Sequence, residues 1–178
     1  MPCEARKTLF DIDMAKGNIS KTNAARLLNR AAIPYELVQY EVDPDNLDAR
    51  HVADSLGEDI NQVFKTLVLH SDKGYFVCVV PGNREVDLKK AAQAMGAKKA
   101  EMIAMKDLLP LTGYIRGGCS PIGMKKLFPT FFHESATSFD KIYVSAGVRG
   151  LQIAINPVAL IEFVNGKTVD LIKEGVKL

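Results

Sequence analysis

The stretch VFKTLVLHSDKGYFVCVV, residues 63–80, decides the fold class of this 178-residue chain. Its two apolar runs, 63–70 and 75–80, have the length and the β-branched and aromatic content of buried strands. The residues between them, Ser71-Asp72-Lys73-Gly74, form a turn signal. We therefore predict an antiparallel hairpin, which argues against a strictly parallel, doubly wound sheet.

Predicted helices and strands alternate on both sides of this hairpin. Helices are predicted over 22–32, between Asp48 and Gly57, over 88–95 and after Asn156-Pro157, and strands over 36–42, 130–134, 141–145, 151–155 and 167–172. This order predicts an α+β fold with a mixed sheet. Because no repeat or linker divides the chain, we predict one domain over residues 21–178, preceded by a flexible N-terminal extension over residues 1–20.

Composition is that of an ordinary globular domain, with 47% hydrophobic and 25% charged residues and a net charge of +2. The three cysteines are far apart and form no metal-ligand spacing, so we expect no disulfide framework, no metal, no cofactor and a cytoplasmic location. Charge is nevertheless uneven, since residues 84–126 hold nine basic and four acidic residues, a local excess of +5. That excess is either a solvated lysine-rich face or an attraction for phosphates.

A glycine-rich segment, TGYIRGGCSPIGMKK (112–126), fits neither a helical nor a strand period. Glycines at 117, 118 and 123 allow positive φ or close approach to the backbone, and Arg116, Lys125 and Lys126 add positive charge. Such a segment is either a surface turn or a backbone-lined pocket for a polar or anionic ligand.

Lys65 is the second anomaly, because it interrupts an otherwise apolar strand. Its ammonium group must reach an edge of the sheet or lie in a cleft, where it would bind a phosphate or carboxylate or polarise a carbonyl. A rival hypothesis makes Cys119 a nucleophile with His133 as its base, but no cysteine-hydrolase motif surrounds Cys119.

Four ordered segments of the chain resemble the YbaK family of bacterial aminoacyl-tRNA deacylases, free-standing relatives of the editing domain of some prolyl-tRNA synthetases. The matching segments are QVFKTLV (62–68), VDLKKAAQAMGAKKAEM (86–102), TGYIRGGCSPIGMKK (112–126) and IYVSAGVRGLQI (142–153). The resemblance implies a partly barrel-like mixed sheet around an aminoacyl pocket. It also implies hydrolysis of mischarged tRNA, most characteristically Cys-tRNA(Pro), by attack of the substrate's own thiol.

The resemblance also implies the site residues. Lys65 falls on the key lysine of the family and Gly117 on the first glycine of its loop, where the amides of Gly117 and Gly118 would stabilise an oxyanion. The substrate-binding positions implied are Tyr40, Thr66 and Ser145, with Arg116, Lys125 and Lys126 placed for the tRNA end. The expected partners are the acceptor end of tRNA(Pro) and a synthetase, prolyl-tRNA synthetase, that supplies tRNA identity; no membrane partner is expected.

Two departures from the family pattern keep alternatives open. Gln152 stands where the family has an aspartate, and Asn46-Leu47-Asp48 replaces a segment that often holds an aromatic residue. The alternatives are a deacylase for another small amino acid, such as Ala-tRNA(Pro), and a non-catalytic module that binds tRNA or a synthetase.

Overall fold

The computed structural model describes residues 22–174. The predicted N-terminal extension, residues 1–20, lies outside the described residues. In chain order the elements are α1 (Asn23–Arg30), β1 (Tyr35–Gln39), α2 (Ala49–Leu56), β2 (Phe64–Ser71), β3 (Gly74–Pro81), α3 (Leu88–Met95), β4 (Ala100–Met102), α4 (Met105–Thr112), β5 (Thr130–His133), β6 (Ile142–Ser145), β7 (Leu151–Ile155), α5 (Pro157–Phe163) and β8 (Lys167–Val169), with short 3-10 helices at Ile60–Gln62 and Glu134–Ser138.

The predicted hairpin is confirmed and forms the middle of a five-stranded mixed sheet. β2 and β3 pair antiparallel, with Phe64 opposite Pro81 and Ser71 opposite Gly74. The strand order is β4-β2-β3-β5-β8, in which β5 is parallel to both β3 and β8. The α+β class with a mixed sheet is therefore confirmed.

A second, antiparallel sheet has the order β1-β7-β6. It meets the first sheet through an isolated parallel bridge between Val63, just before β2, and Tyr143 in β6. Within residues 22–174 the two sheets stay separate and do not close into a barrel, so only the mixed character of the expected partly barrel-like sheet is found.

Period-two alternation sorts the apolar side chains into layers. The main core lies between the sheets, where Phe64 and Val68 of β2 pack with Val144 and Ile153 of the second sheet. Helix α3 covers the outer face of the five-stranded sheet, and α2 covers the outer face of the three-stranded sheet.

Some boundaries differ from those predicted. β1 ends at Gln39, although the backbone N–H of Tyr40 still donates to the carbonyl of Gly150 at 3.0 Å. β8 ends at Val169, after which Ile172 makes an isolated bridge with Val86. The sequence does not predict the three-residue strand β4. It does not predict α4 either, because this helix contains Pro110 and has no side-chain cap at its N-terminus.

His133 of β5 gives the fold a pH dependence. The imidazole Nδ1 accepts a hydrogen bond from the Leu171 backbone N–H at 3.2 Å, so the neutral ring is the form that fits. Desolvation lowers the pKa of His133, and this effect outweighs the opposing charge of Asp170.

We expect the free energy of unfolding to fall as pH drops below the unfolded histidine pKa of about 6.5, because the unfolded state then binds the proton more readily. Urea unfolding between pH ~7.5 and ~5.5 measures this slope. His133→Gln should flatten it, whereas His70→Gln, on the exposed side of β2, is the matched control. An equal slope in wild type and His133→Gln would contradict the assignment.

Candidate active site

A cavity of about 340 Å³ lies at the junction of the two sheets. Its walls are the first half of β2, the start of α2, residues 102–108 around the start of α4, and the loop that follows α4. The polar residues on these walls are Asp48, Lys65, Thr66, Arg116, Ser145 and Gln152. A cavity of this size with a few convergent polar groups is typical of a small-molecule site.

Lys65 is half-buried on the wall of this cavity. Burial lowers the pKa of its ammonium group, and the negative charge of Glu85 opposes that effect only in part. Among residues 22–174 no carboxylate lies within salt-bridge distance of Lys65. A partly dehydrated cation without a counter-ion is suited to an oxygen supplied by a ligand.

The glycine loop, defined here as residues 113–124, supplies a second wall. Gly117 lies on the cavity with φ of +82°, a conformation that favours glycine. Gly118 is buried behind it, and its N–H donates to the carbonyl of Ile115 at 2.9 Å. The N–H groups of Gly117 and Cys119, both on the cavity, have no partner among residues 22–174. They are the backbone donors that this wall offers to a ligand.

The glycine loop packs directly on the turn between β6 and β7, residues 146–150. A Cβ atom on Gly118 would lie 3.2 Å from the backbone nitrogen of Arg149, so only glycine fits without displacement. The Arg149 side chain crosses over Gly117, and its Nε donates to the carbonyl of Arg116 at 2.9 Å. The shape of the second wall therefore depends on this backbone-to-backbone contact.

Tyr114 braces the same contact from inside. Its hydroxyl donates to the carbonyl of Ile122, and its ring packs against Gly147, where an added Cβ would lie 2.8 Å from a ring carbon. Burial, with a smaller contribution from Cys119, raises the pKa of Tyr114 to about 12, so the hydroxyl keeps its proton and remains a donor. Tyr114 thus fixes the glycine loop and the 146–150 turn relative to each other.

Ser145 and Gln152 are direct cross-strand neighbours at the end of the second sheet. The Ser145 hydroxyl accepts the Gly147 N–H at 3.1 Å, which leaves its proton for a ligand. The Oε1 atom of Gln152 and the Oγ1 atom of Thr66 are buried and have no hydrogen-bond partner among residues 22–174. Unsatisfied buried oxygens are uncommon in folded proteins, and two of them on one cavity are typical of a binding site.

The structure brings five of the nine predicted site residues to the cavity wall, namely Lys65, Thr66, Arg116, Gly117 and Ser145. Tyr40 packs beside α2 in the neighbouring apolar cluster, and Gly118 supports the wall from behind. Lys125 and Lys126 are exposed and do not line the cavity. The Lys125 side chain lies instead against Gly113 at the other end of the loop.

The cysteine-nucleophile alternative has no support in this geometry. Burial raises the pKa of the Cys119 thiol to about 12, so the reactive thiolate is strongly disfavoured. His133 does not line the cavity, and its Nδ1 is occupied by the Leu171 N–H. Within residues 22–174 no group of three or more His, Cys, Asp or Glu is arranged to hold a metal ion.

Sequence reasoning missed one apolar wall of the cavity. It consists of Met102, Ile103, Met105 and Leu108, which come from β4 and α4. Arg149, the residue that covers Gly117, was also not predicted as part of the site. The sequence signal for this wall was the apolar residues among 102–109, which single-sequence periodicity does not resolve, and the signal for Arg149 was its glycine-bounded turn.

Several known proteins are similar to this chain in sequence or in fold. The family model for the aminoacyl-tRNA editing domain matches residues 43–163. A protein of Enterococcus faecalis whose name proposes a Cys-tRNA(Pro)/Cys-tRNA(Cys) deacylase is 49% identical over 152 residues, which cover 85% of this chain and 93% of that protein. A proline–tRNA ligase of Shouchella clausii is 25% identical over 154 residues, covering 82% of this chain but 27% of the ligase.

A solved structure has the same fold. It is described as a proposed trans-editing enzyme for prolyl-tRNA synthetase and superimposes with a TM-score of 0.75 at 22% identity, covering 87% of this chain and all of the other. The cavity at the sheet junction and these matches together define a class, the tRNA-editing proteins. More specifically, the chain belongs to the aminoacyl-tRNA editing domain family, also called the YbaK family.

The contact between Tyr114 and Gly147 gives a stability prediction. Gly147 and Gly74 have nearly the same φ, +104° and +106°, but a Cβ on Gly74 would meet nothing within 4 Å. Gly74→Ala therefore measures backbone strain alone, whereas Gly147→Ala adds the clash with Tyr114. We expect Gly147→Ala to reduce the free energy of unfolding by about 1–3 kcal/mol more than Gly74→Ala. Equal losses in urea unfolding would show that Tyr114 does not brace the turn.

Proposed function

We propose that this protein is a trans-editing hydrolase that deacylates mischarged Cys-tRNA(Pro) in the cytoplasm. The observation that carries the proposal is a Lys65 ammonium, unpaired within residues 22–174, on a cavity that the glycine loop also lines with unbonded backbone N–H groups, in a chain of the editing-domain family. The 49% identical relative, whose name proposes the same class of substrate, supports it. Within residues 22–174 no helix has the length and apolarity needed to cross a membrane.

The proposed chemistry needs only positioning and electrostatic stabilisation, because an aminoacyl ester is already activated. The aminoacyl group enters the cavity with its carbonyl oxygen towards the glycine loop. The Gly117 N–H and the Cys119 N–H stabilise the oxyanion, and Lys65 adds a positive charge. Gly118 supports this arrangement through packing, since its own N–H is bonded to Ile115.

The nucleophile in this proposal comes from the substrate. The thiol sulfur of the cysteinyl group attacks its own ester carbonyl, a C–S bond forms, and the bond between the carbonyl carbon and the ribose 3′ oxygen breaks. The thiol proton ends on that ribose oxygen, so the products are a cyclic thioester and free tRNA. The raised pKa of Cys119 supports a mechanism without a protein thiolate. The cavity then selects a near-attack conformer rather than supplying a reacting group.

In this proposal the specificity for the amino acid depends partly on the size of the cavity and partly on the attack by the substrate's own thiol. An apolar pocket distinguishes substrates by only ~1–3 kcal/mol per methylene, which gives limited selectivity by size. A thiol-bearing amino acid is favoured more strongly, because serine or alanine has no comparable nucleophile. A neutral Gln152 on the wall keeps Ala-tRNA(Pro) as the second candidate. tRNA identity would come from prolyl-tRNA synthetase as a partner.

A panel of Cys-, Ala-, Ser- and Pro-charged tRNA(Pro) tests this substrate assignment. We expect the highest kcat/KM with Cys-tRNA(Pro). Faster hydrolysis of Ala-tRNA(Pro) would support an alanine-specific deacylase and would exclude attack by the substrate's own thiol as the mechanism. Binding of tRNA without turnover on any of the four would leave the non-catalytic module as the surviving hypothesis.

Lys65→Ala should abolish turnover, because it removes the cation that faces the ester. The melting temperature should change little, since Lys65 makes no ion pair in the described structure. Cys119→Ala is the matched control in the opposite wall and should retain most activity. If Lys65→Ala hydrolysed the substrate at the wild-type rate, the role given to Lys65 would be wrong. If Cys119→Ala were inactive, Cys119 would replace the substrate thiol as the nucleophile.

The lowered pKa of Lys65 predicts an alkaline limb in the pH profile. The cation is the active form, so activity falls as pH rises through the pKa, and desolvation brings that fall below the ordinary lysine value of about 10.4. The measurement is kcat/KM against pH after subtraction of spontaneous ester hydrolysis. Lys65→Arg should be weaker but lack the limb, because guanidinium keeps its proton. An unchanged limb in that variant would assign it to another group.

A further inference from the structure

Two arginines lie together at the rim of the cavity. Arg149 Nε donates to the backbone carbonyl of Arg116 at 2.9 Å, which holds the Arg149 guanidinium against the backbone of Arg116. Both residues are exposed. Among residues 22–174 neither guanidinium has a carboxylate within salt-bridge distance.

Arg149 covers Gly117 and Arg116 lines the cavity, and two such cations without an acidic partner in residues 22–174 are suited to an anion supplied from outside. Guanidinium groups bind planar or tetrahedral oxyanions through paired N–H donors, which an ammonium group does not offer. The Nε of Arg149 is occupied by Arg116, but its two terminal nitrogens have no partner in the described structure. Arg149 therefore has donors left over after it has fixed the loop.

The position of Arg149 relative to Gly117 indicates which anion fits. The Arg149 side chain lies against Gly117, with its Nε 3.3 Å from the position that a Cβ of Gly117 would occupy. Gly117 forms part of the cavity wall, so the pair lies directly outside the place where the ester would be held. In an aminoacyl-tRNA the nearest anion to the ester is the phosphodiester on the 5′ side of the same terminal ribose.

We propose that Arg149 and Arg116 form a clamp for the phosphodiester of the tRNA 3′ end, an inference that rests on the proposed function. Arg149 has two tasks in this site: its Nε holds the carbonyl of Arg116, and its terminal nitrogens bind the phosphate together with the Arg116 guanidinium. The clamp places the terminal ribose at the mouth of the cavity without reading base identity.

This assignment also decides the partner of Lys65. Arg116 and Arg149 are exposed at the rim, whereas Lys65 is half-buried on the cavity wall. The terminal phosphate, which is strongly hydrated, is bound at the rim, and the ester carbonyl, which carries little charge until reaction begins, meets the buried cation. Of the two roles open for Lys65, polarisation of the carbonyl is the one that remains.

Direct binding of two small probes tests the clamp. Cytidylyl-adenosine adds one phosphodiester and a cytidine to adenosine, so the change that a variant causes in each dissociation constant separates contacts to the added group from contacts to adenosine. We expect Arg149→Gln to weaken binding of cytidylyl-adenosine about tenfold and to leave binding of adenosine unchanged. The salt dependence of tRNA binding should also lose about one unit of slope.

Two further variants separate the clamp from a purely structural role. Lys167→Gln removes the same charge from exposed β8, at the far edge of the five-stranded sheet, and should change neither probe. Arg149→Lys keeps the charge but loses the forked donors, so it should bind cytidylyl-adenosine between wild type and Arg149→Gln. Wild-type affinity in Arg149→Lys would contradict a forked contact.

Other outcomes overturn the clamp itself. Equal weakening of both probes in Arg149→Gln would show that Arg149 only braces the glycine loop, and no weakening of either would show that the phosphate binds elsewhere. Because these experiments measure binding without turnover, they remain decisive if no charged tRNA is hydrolysed. That failure would rule out the proposed deacylase activity, and the binding of the two probes would still decide whether the phosphodiester site exists.

Discussion

The contact between the glycine loop and the 146–150 turn is the constraint on which the site depends. Gly118 lies against the backbone of Val148 and Arg149, and no side chain fits between them. This approach places the free amides at one wall of the cavity and brings Arg149 over Gly117. Tyr114 secures it with a buried hydroxyl that remains protonated. Ligand groups therefore meet a preorganised wall, which lowers the cost of reorganisation during reaction.

The cations near this wall differ in how deeply they are buried and in whether they have an acidic partner. The +5 excess counted over residues 84–126 is partly neutralised from outside that range, since Lys90 pairs with Asp170 at 2.8 Å, whereas the pair of Lys99 with Glu101 at 2.8 Å is already included in the count. The cations left without acidic partners in the described structure include Lys65 on the cavity wall and Arg116 at its rim. Net charge alone would not have located a nucleic-acid site, because the informative feature is which cations lack a counter-ion.

Residues with unusual local patterns were predictable, and those that act through tertiary contacts were not. Lys65 in an apolar strand and Gly117 in a non-periodic segment are anomalies visible in the sequence itself. The hairpin was predictable for the same reason, because strand and turn signals agree over 63–80. Helix α4 escaped prediction because Pro110 argues against a helix, and Arg149 because its partner Arg116 is 33 residues away. The Gly118 amide is occupied because it closes a turn over residues 115–118, in which Gly117 takes the positive φ that favours glycine at the third position.

The buried oxygens of Thr66 and Gln152 make the cavity polar without placing a carboxylate within salt-bridge distance of Lys65 in the described structure. An acid near Lys65 would pair with it, raise its pKa and occupy the cation before substrate arrived. Asp48, which lines the cavity in the described structure, makes no ion pair with Lys65 there, and its Oδ1 accepts the His51 N–H at 2.8 Å to cap α2. A neutral Gln152 keeps polarity beside Ser145 and leaves Lys65 uncompensated. The departure from the family aspartate therefore favours a site whose buried cation is reserved for the ligand.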